Sequence, residues 1–171
     1  MNAQQIIGDS RVLHIRELKA EVAKLKAENS KLHDENAQIH AHLDLALTAA
    51  RDLESLPDGG KLVLVDGWNM ILGAKKVAKD KDDLLAKAKV YAAENPKDFL
   101  WIVYDGPRFS AFTDGRVRIS YTGGSGEHRA DKFICDFLRM ARFRGSVAKI
   151  DVRTHDKDFL RDIARIRGEV R

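Results

Sequence analysis

Asp66 closes the apolar run Lys61-Leu-Val-Leu-Val65, and Asp105 closes Phe99-Leu-Trp-Ile-Val-Tyr104. Asp156 follows Ile150-Asp-Val-Arg-Thr-His155, with Asp158 two positions on. Asp131 opens an apolar-faced segment after the loop Thr122-Gly-Gly-Ser-Gly-Glu-His128. An acid in such a place can cap the next helix, because its carboxylate accepts backbone N–H groups of the first turn. Asp131 and Asp156 are the best cap candidates. The acids can also act together. Short apolar runs of this kind are buried strands, and sites in open parallel α/β sheets form outside the carboxyl ends of the strands. Four carboxylates converging there, without arginine partners in the interior, repel and raise one another's pKa values. Such a cluster most naturally binds a divalent cation, and its all-oxygen donor set suits Mg²⁺ or Mn²⁺.

Other chemistries lack their residues. There is no G-x-x-x-x-G-K-[ST] phosphate loop, and Gly123-Gly124-Ser125-Gly126 does not follow the first strand as a dinucleotide fingerprint would. No G-x-S-x-G elbow or H-E-x-x-H pair occurs. The single cysteine, Cys135, rules out an intrachain disulfide framework and sits in a helical segment with apolar neighbours, as a core residue does. His128 and His155 flank the acids, where a histidine either touches substrate or sits on the surface.

The elements that must position the acids lie in residues 61–171. Residues 61–65 and 99–104 read as buried strands. Residues 83–94 form a helix with Leu84, Leu85, Ala88 and Tyr91 on one side. Arg116 to Tyr121 alternates with period two, as a half-exposed strand does. Residues 131–143 and 156–166 are helical, and 147–152 is a fourth strand. The order β-α-β-β-α-β-α predicts an α/β sandwich with a mainly parallel sheet.

Residues 1–56 follow a different period. Ile15, Leu18, Val22, Leu25, Asn29, Leu32, Asn36, Ile39, Leu43, Ala46, Ala50 and Leu53 are spaced alternately by three and four. That is a heptad seam on a helix from Arg11 to Leu53, with asparagine at two a positions, which favours a parallel dimer in register. Across such a dimer Glu21 faces Lys26, Glu28 faces His33 and Glu35 faces His40. His40 and His42 diverge on a helix and read as solvated flanking positions. Pro57-Asp-Gly-Gly60 punctuates the chain as a flexible hinge. The predicted organisation is therefore a coiled-coil dimerisation helix (1–56), a hinge (57–60) and an α/β domain (61–171).

Charge divides along the same line. The chain carries 30 Lys and Arg against 26 Asp and Glu, a net +4. Residues 1–57 hold 7 basic and 9 acidic side chains, and the remainder holds 23 and 17. The α/β domain is the basic part, which points to a polyanionic partner. No apolar stretch approaches the roughly 20 residues that cross a bilayer. Residues 1–11 lack a basic start followed by an apolar run, so no secretory signal is expected. A reducing cytoplasmic setting and no membrane partner are the expectations.

Four segments carry a resemblance. Val65-Asp66-Gly67-Trp68-Asn69-Met70-Ile71 resembles the D-G-[YW]-N-h-I opening of NYN domains, a branch of the PIN-like nucleases. Val103-Tyr104-Asp105-Gly106 resembles their F-D-G. Ala130-Asp131-Lys132-Phe133-Ile134 resembles their A-D-x-x-I helix start. Thr154-His155-Asp156-Lys157-Asp158-Phe159 resembles their [ST]-x-D-x-D-F. The segments occur in the family's order across residues 61–166, and the heptad region lies outside them.

The resemblance implies a PIN-like/NYN three-layer sandwich and metal-dependent endonuclease activity, usually on RNA. By it, Asp66, Asp105, Asp131 and Asp156 are both catalytic and metal-holding, with Asp158 a second-tier metal ligand. Asn69 would orient an acid or a phosphate, and Ser125 is nearest to the family's small residue before the third acid. Trp68 stands where tyrosine is commoner. A carboxylate-held metal lowers the pKa of bound water, which can then cut a phosphodiester. The acidic centre needs surrounding cations to hold RNA, and Arg108, Arg129 and Lys132 lie beside the acids. His128 joins them as an RNA contact. Trp68, Phe109 and Phe112 could stack unpaired bases. The expectation is a Mg²⁺- or Mn²⁺-dependent endoribonuclease acting on single-stranded regions as a homodimer. The alternatives are a non-catalytic RNA-binding or scaffolding module recruited through its coiled coil, and a structure-selective DNA nuclease.

Overall fold

The computed structural model describes residues 3–73, 75–124 and 128–169. One long helix, α1 (Ala3–Glu54), is followed by β1 (Leu62–Asp66), α2 (Gly67–Leu72), α3 (Lys81–Glu94), β2 (Phe99–Tyr104), β3 (Phe109–Asp114), β4 (Val117–Thr122), α4 (Arg129–Phe143), β5 (Ile150–Arg153) and α5 (Lys157–Arg167). The five strands form one sheet in the order β3-β4-β2-β1-β5, parallel except for β3, which runs antiparallel to β4. The chain is thus α/β, with a long N-terminal helix. None of the described helices is long and apolar enough to cross a membrane.

Burial follows the periodicities. All five residues of β1 and five of six in β2 are buried, as a strand covered on both faces requires. Leu62, Leu64, Trp101, Val103 and Ile150 share one face with Ile134, Phe137 and Leu138 of α4, and with Phe159, Ile163 and Ile166 of α5. Val63, Val65, Leu100, Ile102, Tyr104 and Ile119 share the other with Met70 and Ile71 of α2 and Leu84 and Ala88 of α3. Trp101 is 0% exposed, and its indole N–H donates to Ser120 Oγ at 2.8 Å, so its ring is buried without an orphaned donor.

Two elements escaped the sequence reading. The two-turn helix α2 is too short to show a period. Strand β3 is exposed along most of its length and alternates no apolar face, so it looked like a loop. Phe109 and Phe112, expected as base stackers, belong to β3. Phe109 packs edge-on to His42, and Phe112 is half exposed. The expected strand 147–152 is a 3-10 turn (Val147–Lys149) leading into β5.

Contacts divide the chain into two compact units, one ending at His40 and the other beginning at Ala41. The boundary therefore falls inside α1 and not at residues 57–60. Ala49, Ala50 and Leu53 are buried in the α/β unit, and Leu45, Ala46 and Leu56 pack against the same core. The small residues that close the heptad seam let the backbone approach the sheet, so this stretch serves the α/β core and is not open to a partner helix. Asp52 pairs with Arg118 at 2.5 Å, and the Arg118 guanidinium lies over the rings of Phe99 and Trp101. His42, read as solvated, is half-buried. Its Nε2 meets the Thr122 carbonyl, its ring packs edge-on to Phe109 and Phe133, and burial lowers its pKa.

The expected hinge is a pinned turn. Gly60 N–H donates to the Pro57 carbonyl at 2.9 Å, Lys97 Nζ donates to the Asp58 carbonyl at 3.0 Å, and Lys61 N–H donates to Asp98 Oδ1 at 2.9 Å. Within the N-terminal unit, the seam residues Ile15, Leu18, Val22, Leu25, Leu32 and Ile39 are 48–61% exposed along one stripe of helix.

Candidate functional site: four carboxylates at the carboxyl edge of the sheet

β1 delivers Asp66 and β2 delivers Asp105 to the same end of adjacent parallel strands, in register through the Asp66–Val103 pair. β5, on the other side of β1, delivers Thr154, His155 and Asp156 beyond its end. α4 begins at the same edge and contributes Asp131 from its first turn. Asp66 and Asp131 each sense two of the other acids: Asp66 feels Asp131 and Asp105, and Asp131 feels Asp156 and Asp105.

Asp66 is 7% exposed. Its Oδ1 accepts the Asn69 N–H at 3.2 Å, capping α2, and its Oδ2 accepts the Thr154 hydroxyl at 3.3 Å. Burial pushes its pKa up to about 6, the neighbouring Asp131 and Asp105 push the same way, and the two hydrogen bonds oppose them. Gly67 follows because a side chain there would enter the Tyr104 ring.

Asp105 performs a task no neighbour in sequence could. His128, at the N-cap of α4, is left-handed (φ 58°) and its side chain caps nothing. Asp105 Oδ1 takes over, accepting the Ala130 N–H at 2.5 Å and the Thr122 hydroxyl at 3.3 Å. A carboxylate at a helix N-terminus is favoured by the helix dipole. Asp156 caps α5, accepting from the N–H groups of Asp158 at 2.8 Å and Phe159 at 3.1 Å. Asp131, expected as a cap, is not one. Its partner is His128 Nδ1 at 3.2 Å, and burial raises its pKa. Of the four it is the carboxylate least committed to backbone.

The remaining expected site residues separate. Asn69 Oδ1 accepts the His155 N–H at 2.6 Å, tying the β5–α5 loop to α2, so Asn69 positions the acids on both sides of it. Trp68 donates its indole N–H to the Asp105 carbonyl at 2.9 Å. Arg129 is half-buried beneath Gly124, where any side chain would meet its guanidinium, and its Nε has no partner among the described residues. Lys132, Arg108 and His128 are exposed. Asp158, in the first turn of α5, is 84% exposed and pairs with Arg161. Ser125 lies outside the described residues. Arg118 is buried and pairs with Asp52.

Three participants were not singled out from sequence. Thr154 and Thr122 supply hydroxyls to Asp66 and Asp105, and the Ala130 N–H anchors Asp105. The small hydroxyl residue before the last acid was a usable signal for Thr154. Nothing local marks Thr122. A cavity of about 500 Å³ between α3 and the sheet reaches the site through Thr154 and His155, but its walls are apolar (Val63, Met70, Leu84, Leu100). None of the four acids lines it.

Among the described residues no three His, Cys, Asp or Glu side chains stand together as an assembled coordination shell. Asp105 and Asp156 each accept backbone N–H groups at a helix start. The donor chemistry itself fits a hard divalent ion: carboxylate oxygens with hydroxyls behind them, and no Lys or Arg among the groups that tune Asp66. No protein-family model matches the chain, and neither does any curated protein or solved structure.

Proposed function

We propose that the α/β unit is a divalent-cation-dependent endoribonuclease of the NYN/PIN-like kind. The observation that carries this reading is the gathering of four carboxylates at one sheet edge, with Asp66 buried and raised to about 6 and Asp131 raised by burial. A fold retains such a cost where a ligand relieves it. Asp66, Asp105, Asp131 and Asp156 would hold Mg²⁺ or Mn²⁺, with Asp158 an outer contributor. Bound there, the ion would lower the pKa of a water and offset phosphate charge. The chain's own residues do the rest. Asn69 and Thr154 hold Asp66 and the β5–α5 loop in place. Asp131 turns its free oxygen to the ligand. Arg129, Lys132, Arg108 and His128 surround the acids and hold the polyanion.

The heptad stripe supports the second half of the proposal, a parallel homodimer through α1. Large apolar residues spaced by three and four and half exposed along one stripe need a partner. A second copy supplies it, with Asn29 meeting Asn29 and Glu21 facing Lys26. Two linked nuclease units raise the effective concentration on a long RNA.

Labelled single-stranded RNA incubated with the full chain tests the activity. Mn²⁺-dependent fragments that EDTA suppresses are expected, and Asp131→Asn, which loses no backbone hydrogen bond, should abolish them while keeping the far-UV CD spectrum. Retained cleavage in that variant sinks the mechanism. The engagement of Asp105 and Asp156 with backbone N–H groups favours a second reading, a non-catalytic RNA-binding module, for which the same assay gives a shifted band and no fragments. A matching single-stranded DNA arm tests the structure-selective DNA nuclease.

A further inference from the structure

Beside the carboxylate edge, over β2 and β4, three aromatic rings surround one ammonium. Lys81 Nζ stands 4.6 Å from the ring centroid of Trp68, 5.1 Å from that of Tyr104 and 4.6 Å from that of Tyr121. It also donates to Tyr121 Oη at 3.2 Å. Tyr104 and Tyr121 are register partners on adjacent strands and stack with centroids 5.4 Å apart and planes 22° apart. Trp68 meets Tyr104 edge-on at 5.4 Å. Tyr104 is buried and forms the floor, while Trp68 and Tyr121 are partly buried and form the walls. Two close approaches preserve this space: side chains at Gly67 and Gly106 would run into Tyr104 and Tyr121.

We propose that this aromatic slot binds an unpaired nucleobase of a single-stranded nucleic acid, with Lys81 occupying it in the free chain. The inference deepens the nuclease reading but stands on different residues. An ammonium over three rings marks an electron-rich surface, reached from solvent at Trp68 and Tyr121, which are only partly buried. The same faces stack a base, whose atoms rest about 3.5–4.0 Å away. A base therefore replaces the ammonium and does not join it. Lys81 sits in the first turn of α3, on a flexible stem, and on leaving the slot remains beside a phosphodiester as a cation. The Tyr121 hydroxyl, freed of Lys81, can donate to or accept from a base edge. Location supplies the last argument. The Trp68 indole N–H donates to the Asp105 carbonyl at 2.9 Å, so a base held on Trp68 lies next to the carboxylates.

Intrinsic fluorescence reports on the slot, because of the two tryptophans Trp101 is 0% exposed and Trp68 only partly buried. The full chain is titrated in EDTA, where no metal-dependent cleavage occurs, with oligouridylate, the corresponding DNA, and an abasic oligomer of equal length. Binding is followed separately by anisotropy of an end label. Both base-bearing oligomers should quench tryptophan emission. The abasic oligomer should bind more weakly and leave emission unchanged. Trp68→Phe should remove the quenching. Tyr121→Leu should weaken base-bearing oligomers about 5- to 150-fold, the range of one stacked base, and leave abasic affinity alone. Tyr121→Phe keeps the ring and should bind within about 2-fold of the parent. Equal affinity and equal quenching with the abasic oligomer overturn the proposal, as does the absence of any binding. Loss of Mn²⁺-dependent cleavage with these binding results intact would sink the nuclease reading and leave the slot standing.

Discussion

Replacing Asp66 by asparagine removes a charge that the fold solvates poorly, and the consequence can be worked through. The folded carboxyl titrates at about 6 against an ordinary value of 3.8. The folded state therefore holds a proton that the unfolded state has released across that window. Stability falls as pH rises from about 4 to about 6, and above the folded value the full penalty is present. At ~1.36 kcal/mol per pKa unit the penalty is about 3 kcal/mol. Asparagine keeps the geometry: its oxygen can still accept the Asn69 N–H, and its amide can donate to the Thr154 hydroxyl. Part of the gain is returned, because a neutral acceptor binds the Asn69 N–H less strongly than a carboxylate does. The expectation is that Asp66→Asn in EDTA at pH 7.5 is stabler than the parent by about 2 kcal/mol, or roughly 4–8 °C in Tm. The difference should shrink toward zero near pH 4. Mn²⁺ should raise the Tm of the parent and not that of the variant. Urea and thermal unfolding across pH 4–8 measure this. A variant less stable than the parent at pH 7.5, or a difference that does not change with pH, refutes the reasoning that Asp66 carries a buried charge.

Two further outcomes follow from other contacts. Asp52→Ala leaves the Arg118 guanidinium, 7% exposed, without its carboxylate. Urea denaturation should show a loss of about 3 kcal/mol, the low end for breaking a buried pair, since Asp52 itself is partly solvated. Leu25→Glu combined with Leu32→Glu puts charge on the heptad stripe, and sedimentation of the full chain should change from dimer to monomer. A parent that already sediments as a monomer refutes the dimer.

Much of the site was legible because its acids end strands. A buried apolar run that stops at an acid shows both the strand and the edge on which the acid emerges, and Asp66 and Asp105 are such cases. Asp156 as a helix cap was equally local, since its partners lie two and three residues on. Asp105 was legible as a site residue but not as the cap of α4, because its partner Ala130 is 25 residues away and the local capping position holds a left-handed His128. The Lys81 slot joins residues 68, 81, 104 and 121, which no spacing rule connects. The burial of Arg118 was not legible either, because its partner Asp52 lies 66 residues away.

Periodicity and terminal residues, properties of a few neighbouring positions, determined by themselves that this chain holds a long heptad helix and a mainly parallel α/β sheet with acids at its strand ends. Tertiary structure decided where the helix stops being a rod. Its seam runs on unbroken to Leu53, yet from Ala41 the chain belongs to the α/β unit, because Ala49, Ala50 and Leu53 bury against the core and His42 and Asp52 find partners in β4. A heptad pattern states that a stripe must be covered. Whether a second helix or the chain's own core covers it depends on which surface comes within reach, and that is settled only when distant segments pack.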